Sequence, residues 1–270
     1  ISNIEIYRIF RKNKILTRYL IQKKIIEFDR NIFEKYTHDD YFFYSENEEF
    51  YSENQKEMIK EHISEYLKMD IITFERMCQQ GENHSYICSL IREDLIVEFI
   101  TYVNKVNYPL DSIIDKSFFE TNDFLIGKQP TLIEYAAFFG SIQIIQYLKK
   151  MGFKLKSSLW EYAVHGRNYE LIHFIEENVK PEFYFNWCKI LNESIKCHHN
   201  DIAKYIKRQY LNDDNNSLHF PTLLNTNNYK FLPKKYEPLL SKYRSNTYEP
   251  CHYHTFLSMK LITIPSYLTD

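Results

Sequence analysis

Apolar residues recur every three or four positions along most of the chain, the spacing of helices with one buried face. The pattern is clearest from Pro130 to Leu155. Ile133, Ala136 and Ala137 form one apolar face; Ile144, Ile145, Tyr147 and Leu148 form another. Gly140 falls between the two runs and Gly152 after the second. Glycine commonly ends helices, so the spacing predicts two short helices, each stopped by a glycine. A pair this short cannot bury both faces alone and needs neighbours of its own kind.

Such neighbours are legible. Leu159-Trp160-Glu161-Tyr162-Ala163 lies under Leu132-Ile133-Glu134-Tyr135-Ala136, 27 residues on, and Leu171, Ile172, Phe174 and Ile175 lie under Ile144, Ile145, Tyr147 and Leu148. Gly166 comes one residue too early for Gly140, and Arg167 takes the aligned place, which weakens the match at this turn. A third copy runs through Ile190, Leu191, Ser194 and Ile195 to Ile202, Ala203, Tyr205 and Ile206, with Ser194 standing 31 residues after Ala163. Its turn has no glycine, and Asn200-Asp201 is expected to cap its second helix. Upstream, Cys88–Asp94 and Ile96, Val97, Phe99 and Ile100 make a degenerate pair, with the latter four set under Ile144, Ile145, Tyr147 and Leu148.

The remainder is less regular. Residues 1–28 have helical spacing, with Lys and Arg expected on a solvated face. An acidic, aromatic-rich connection follows around Tyr41-Phe42-Phe43-Tyr44. A second helix pair is predicted at about 53–67 and 71–79, ended by the turn-like Gln80-Gly81-Glu82-Asn83. An insertion with Asn107-Tyr108-Pro109 and Glu120–Asp123 reads as loop. Past Leu211 the composition shifts, and five of the eight prolines lie in the last fifty residues. Prolines this dense exclude another unbroken helix pair. Residues 211–257 read as linker or irregular cap, and Leu257–Asp270 as a strand ending at Pro265.

The segment from Thr131 to Gly152 resembles an ankyrin repeat. Thr131, Ile133, Ala136-Ala137, Gly140 and Gly152 stand where that signature has Thr, Leu, the alanine pair and the two glycines. Leu132 replaces its Pro and Glu134 its His, so the resemblance implies an altered polar network between repeats. The trimmed spacing of 27 is shorter than the ankyrin period of about 33 residues. Residues 85–210 as a block are similar to ankyrin-related domains of parasitic unicellular eukaryotes. Ile91–Asp94, Phe119–Asn122, Thr131–Gln143 and Glu193–Asn200 carry the likeness. It implies a helical repeat fold and, by analogy, protein binding, with no activity to import. Leu261, Ile262, Ile264, Pro265 and Leu268 resemble the opening of a BspA-like leucine-rich repeat. That likeness implies a cell-surface or secreted protein if the chain continues.

Composition changes this picture little. Of 270 residues, 44% are hydrophobic, enough for a core. The net charge of −2 does not suggest a nucleic-acid or anionic-membrane partner. No apolar run reaches membrane-spanning length. The chain opens on Ile1 without Met or signal peptide, which suggests a fragment or processed product. Five scattered cysteines without CxxC spacing suggest free thiols in a reducing, cytoplasmic setting.

Candidate chemistry is sparse. No P-loop, dinucleotide or Gly-x-Ser-x-Gly motif occurs. The Cys/His clusters are Cys197-His198-His199 and Cys251-His252-x-His254. Neighbouring helical residues point about 100° apart, so His198 and His199 do not readily share an ion. Glu134 and Glu161 recur by repeat, which points to hydrogen bonds with an adjacent repeat rather than acid/base work. His165 is expected to serve repeat packing. Tyr135, Phe138, Tyr162 and His165 are the candidate partner-binding positions, since aromatic anchors dominate interfaces. Thr131, Glu134, Ala136, Gly140, Gly152, Glu161, Ala163 and Ser194 are the structural repeat positions. The expectation is an all-α chain: an N-terminal helical region over 1–84, ankyrin-like stacked hairpins over 85–210, a linker over 211–257, and the start of a leucine-rich repeat over 258–270. The expected role is a protein-binding scaffold, with no catalysis, cofactor or metal. The alternatives are a helical stalk of a leucine-rich surface protein, or a metal-dependent enzyme.

Overall fold

A computed structural model describes residues 2–37, 41–180 and 184–211, together with Thr226, Asn228 and Lys230. The linker and strand expected beyond 211 otherwise lie outside the described residues, as does Cys251-His252-x-His254. Among the described residues the fold is all-α, with no strand and one isolated bridge, Ile113 to Thr131. No described helix is long and apolar enough to cross a membrane. Two compact units divide the chain: residues 1–93 with 97–132, and residues 94–96 with 133 onward.

The first unit opens with α1 (Asn3–Phe10), whose Ser2 and Glu5 form a capping box. Asn13 caps α2 (Lys14–Gln22) and Asp29 caps the single turn α3 (Arg30–Ile32). After α4 (Tyr44–Asn47) come α5 (Glu53–Tyr66) and α6 (Ile71–Gln80), the helix pair expected from the spacing. Gly81 ends α6 at φ 68°, a conformation that suits glycine. Then follow α7 (Tyr86–Arg92), α8 (Ile96–Val106) and α9 (Asp123–Lys128).

In this unit two expectations gain detail and two need correction. The aromatic connection is core: Phe42, Phe43 and Tyr44 are buried with Phe33, Phe74 and Phe119. Rings of this size carry a large share of the burial that holds a core together. Second, Arg18 does not join a solvated basic face. It is buried, paired with Glu46, and donates to the Phe42 carbonyl, which compensates part of its lost hydration. Third, the insertion is tied down, as Asn83 Nδ2 donates to the Asp115 carbonyl at 2.9 Å and Thr121 N to the Gly81 carbonyl at 3.0 Å. Fourth, α8 is rotated from the expected alignment. Val97 is 69% exposed, and Phe99 and Val103 form the buried ridge.

The second unit is built from α10 (Leu132–Phe139, from Ile133 on), α11 (Ile142–Lys150), α12 (Leu159–His165), α13 (Tyr169–Asn178), α14 (Trp187–Lys196) and α15 (Asn200–Tyr210). Helix α12 packs on both α13 and α14, and α14 packs on α15. The pairs α10–α11, α12–α13 and α14–α15 share one turn geometry. A left-handed residue occupies each turn: Gly140 (φ 75°), Arg167 (φ 55°) and His198 (φ 58°). The next amide donates back to a small residue: Ser141 to Ala136 at 2.9 Å, Asn168 to Ala163 at 3.4 Å, and His199 to Ser194 at 2.9 Å. These acceptors are fully buried, where a larger side chain would have no room.

The second helix of each pair repeats one burial pattern. Ile144, Ile145 and Leu148 are buried beside half-buried Tyr147; Leu171, Ile172 and Ile175 beside Phe174; Ile202, Ala203 and Ile206 beside Tyr205. The cap of α15 is His199, not Asn200-Asp201, which lie in its first turn. Asp201 there still meets the positive end of the helix dipole. Asp94, also left-handed at φ 50°, accepts from Gln143 N at 3.0 Å and Ile144 N at 3.1 Å, capping α11.

Candidate functional site

The aromatic positions chosen from sequence separate on burial. Tyr135 and Tyr162 are core residues, 1% and 4% exposed, and have almost no surface for a partner. Phe138 and His165 are half-buried, and their rings meet at 5.2 Å between centroids. Of the four, only this pair reaches a surface. The sequence put Tyr135, Phe138 and Tyr162 on first helices, but local spacing does not say which of these rings packing covers.

Two of the positions read as structural make hydrogen bonds between helix pairs. Ser158 Oγ donates to Glu134 Oε1 at 2.9 Å, and Lys189 Nζ to Glu161 Oε2 at 2.8 Å. Each glutamate therefore takes a hydrogen bond from the next helix pair. Thr131 closes the bridge to Ile113, and Gly152 ends α11 at φ 95°.

A mixed cluster of donor side chains forms where α12 and α14 end. His165 is the last residue of α12, and Cys197 follows α14 directly. Glu193 lies one turn before Cys197, so the two share a helix face. His165 Nε2 stands 3.6 Å from Glu193 Oε1, and the three donor atoms all lie within 4.8 Å of one another. Lys196 Nζ, half-exposed, is 3.0 Å from the other Glu193 oxygen. Burial pushes the His165 imidazole below its ordinary pKa, toward the neutral form that can lend a lone pair. Burial, with the Glu193 charge adding to it, raises the Cys197 thiol to about 12.

Sequence spacing pointed elsewhere for metal chemistry. His198 Nε2 donates to the Thr226 carbonyl and His199 Nδ1 to the Val164 carbonyl, each at 2.8 Å. The two histidines thus face different backbone groups, as expected of neighbours in a helical turn. Cys197 instead meets a histidine from the preceding helix pair. No motif search over adjacent residues finds this cluster; only the i,i+4 spacing of Glu193 and Cys197 hints at it.

A second polar cluster ties α13 to α15. The hydroxyls of Tyr205 and Tyr210 and His173 Nδ1 all donate to the Glu176 carboxylate. Burial pushes the Glu176 carboxyl up, but these bonds outweigh it and hold it below the usual range. Burial, then the Glu176 bond, raises Tyr205 to about 12, so it remains a donor. Tyr210 also stacks on Trp187 at 3.6 Å between centroids and 6° between planes. This arrangement locks α13 to α15. No family model, curated protein or solved structure matches this chain.

Proposed function

We propose that α10–α15, extended in sequence to Ser85 by the degenerate pair α7–α8, are divergent ankyrin-like repeats that bind a protein partner and carry out no chemistry. One observation supports the repeat reading above the rest. Three helix pairs, offset by 27 and 31 residues, place a left-handed residue, a small hydrogen-bond acceptor and the same buried ridge at matched positions. Stacked units of this kind create extended surfaces, and such surfaces commonly serve binding. The step from repeats to binding is an analogy of fold.

Phe138 is the natural probe, because it reaches a surface and no turn geometry depends on its ring. Immobilised wild-type chain and Phe138→Ala are compared by quantitative mass spectrometry, and the captured protein is then titrated in purified form. Saturable one-to-one binding, weakened at least tenfold by Phe138→Ala at unchanged unfolding midpoint, supports the proposal. A wild-type chain that enriches nothing over an unrelated helical protein overturns it. Equal affinity of the two chains removes Phe138 from the binding surface.

A further inference from the structure

We propose that His165, Glu193 and Cys197 form a zinc site that fastens the end of α12 to the end of α14. Three observations meet at this point. The donor set is one imidazole nitrogen, one carboxylate oxygen and one sulfur, which suits zinc; calcium and magnesium prefer oxygen cages. The spacing fits as well. Tetrahedral zinc, with bonds of about 2.0–2.3 Å, sets neighbouring donors roughly 3.3–3.8 Å apart. His165 Nε2 and Glu193 Oε1 already stand at 3.6 Å, and the whole set lies within 4.8 Å. Small side-chain rotations close the remainder.

The surroundings hold charge of both signs, with Lys196 3.0 Å from Glu193; the negative side comes from a helix end and a carboxylate. Cys197 caps the C-terminal end of the ten-residue α14, where the helix dipole is negative. Glu193 supplies the formal charge and is only 8% exposed, so water screens it weakly. Lys196 holds the outer oxygen of Glu193 and leaves Oε1 turned toward His165. On binding, the Cys197 thiol gives its proton to solvent and the sulfur ligates as thiolate. Three protein ligands leave a fourth position for water or for a donor from a bound partner. The site joins consecutive helix pairs, so its expected effect is on the rigidity of their packing.

Cobalt serves as the optical probe. One equivalent of Co2+ added to the reduced, purified chain should produce a thiolate-to-cobalt charge-transfer band and a tetrahedral visible band, both erased by Zn2+. Cys197→Ser should remove the charge-transfer band and weaken zinc binding by more than about 100-fold, beyond the 10- to 100-fold typical of outer-shell changes. Cys188→Ser and Cys251→Ser should leave both bands intact. A wild-type chain without a stoichiometric charge-transfer band overturns the site. So does a band that survives Cys197→Ser or disappears with Cys251→Ser. If Cys197→Ser loses its helical circular dichroism, His165→Gln is read instead. Unchanged zinc affinity in that variant overturns the site, and a loss of more than about 100-fold supports it.

Discussion

At Gly140, Arg167 and His198 the chain makes the same left-handed turn with three different residues. An L side chain in this region costs about 1–2 kcal/mol, which the packed helices on either side must outweigh. Gly166, one residue before Arg167, is needed for another reason. Its φ of −75° suits any residue, but a Cβ there would stand 1.8 Å from the Phe138 carbonyl oxygen. Gly166→Ala should therefore cost about 1–3 kcal/mol, as overpacking against fixed backbone does. Arg167→Gly should change stability by less than about 1 kcal/mol. Relief of the left-handed strain is offset by glycine's entropy and by loss of the exposed pair with Asp201. Urea unfolding checks both. Equal losses from the two variants would show that the close approach at Phe138 does not govern this turn. The glycine that looked misplaced in sequence is thus a packing residue, and the turn itself tolerates arginine.

Among helices, the recurring ridge decides which apolar positions matter. Ile175→Ala and Ile206→Ala each remove a fully buried side chain and should cost about 2–5 kcal/mol. In α8 the ridge is Phe99 and Val103, so Phe99→Ala should cost about 3–5 kcal/mol. Val97→Ala, at an exposed position, should stay within about 0.5 kcal/mol. Chemical denaturation of the α8 pair tests the register directly; the reverse order of losses would restore the sequence alignment. Helical spacing revealed the pairs at 53–80 and 131–210 because periodicity depends on near neighbours. It misplaced α8 because Ile96, Val97, Phe99 and Ile100 offer two apolar faces, and only packing chooses between them. The His165–Glu193–Cys197 cluster was hidden for a related reason. Its members come together through the docking of α12 on α14, which no local spacing encodes.

For the whole chain, shifted carboxyls decide how each unit responds to acid. In the first the shifts run both ways: burial raises the Glu75 and Glu120 carboxyls, while hydrogen bonds from Ser2, Lys56 and Thr73 lower Glu5, Glu53 and Asp70. Groups with raised folded pKa values favour the folded state most at low pH and lose that contribution as pH rises through the folded values. In the second, Glu176 and Asp201 lie below their ordinary values of 4.5 and 3.8. At Asp201, as at Glu176, burial acts upward but is outweighed, here by bonds from Tyr169 and Arg167. Depressed carboxyls contribute stability above the unfolded pKa and lose it as pH falls through the folded one. Both tryptophans, Trp160 and Trp187, belong to the second unit, so their fluorescence reports on it alone. Stability followed by tryptophan fluorescence should fall as pH drops below about 4.5, the upper of the two unfolded values. Glu176→Gln should lower stability at pH 7 and flatten that fall. An unchanged slope would show that the Glu176 cluster does not carry the acid response.

The sequence by itself determined the all-α class, the helix pairs and their offsets of 27 and 31 residues. Helix formation and turn placement follow from residues a few positions apart, and those are written in order along the chain. Only the tertiary structure decided the rest. It placed Tyr135 and Tyr162 in the core and left Phe138 and His165 at a surface. It buried Phe42, Phe43, Tyr44 and Arg18, and brought Cys197 to His165 rather than to His198 or His199. Burial and coordination depend on what packs against a side chain from distant parts of the chain. A helix enclosed on both sides has the same local spacing as one that faces water.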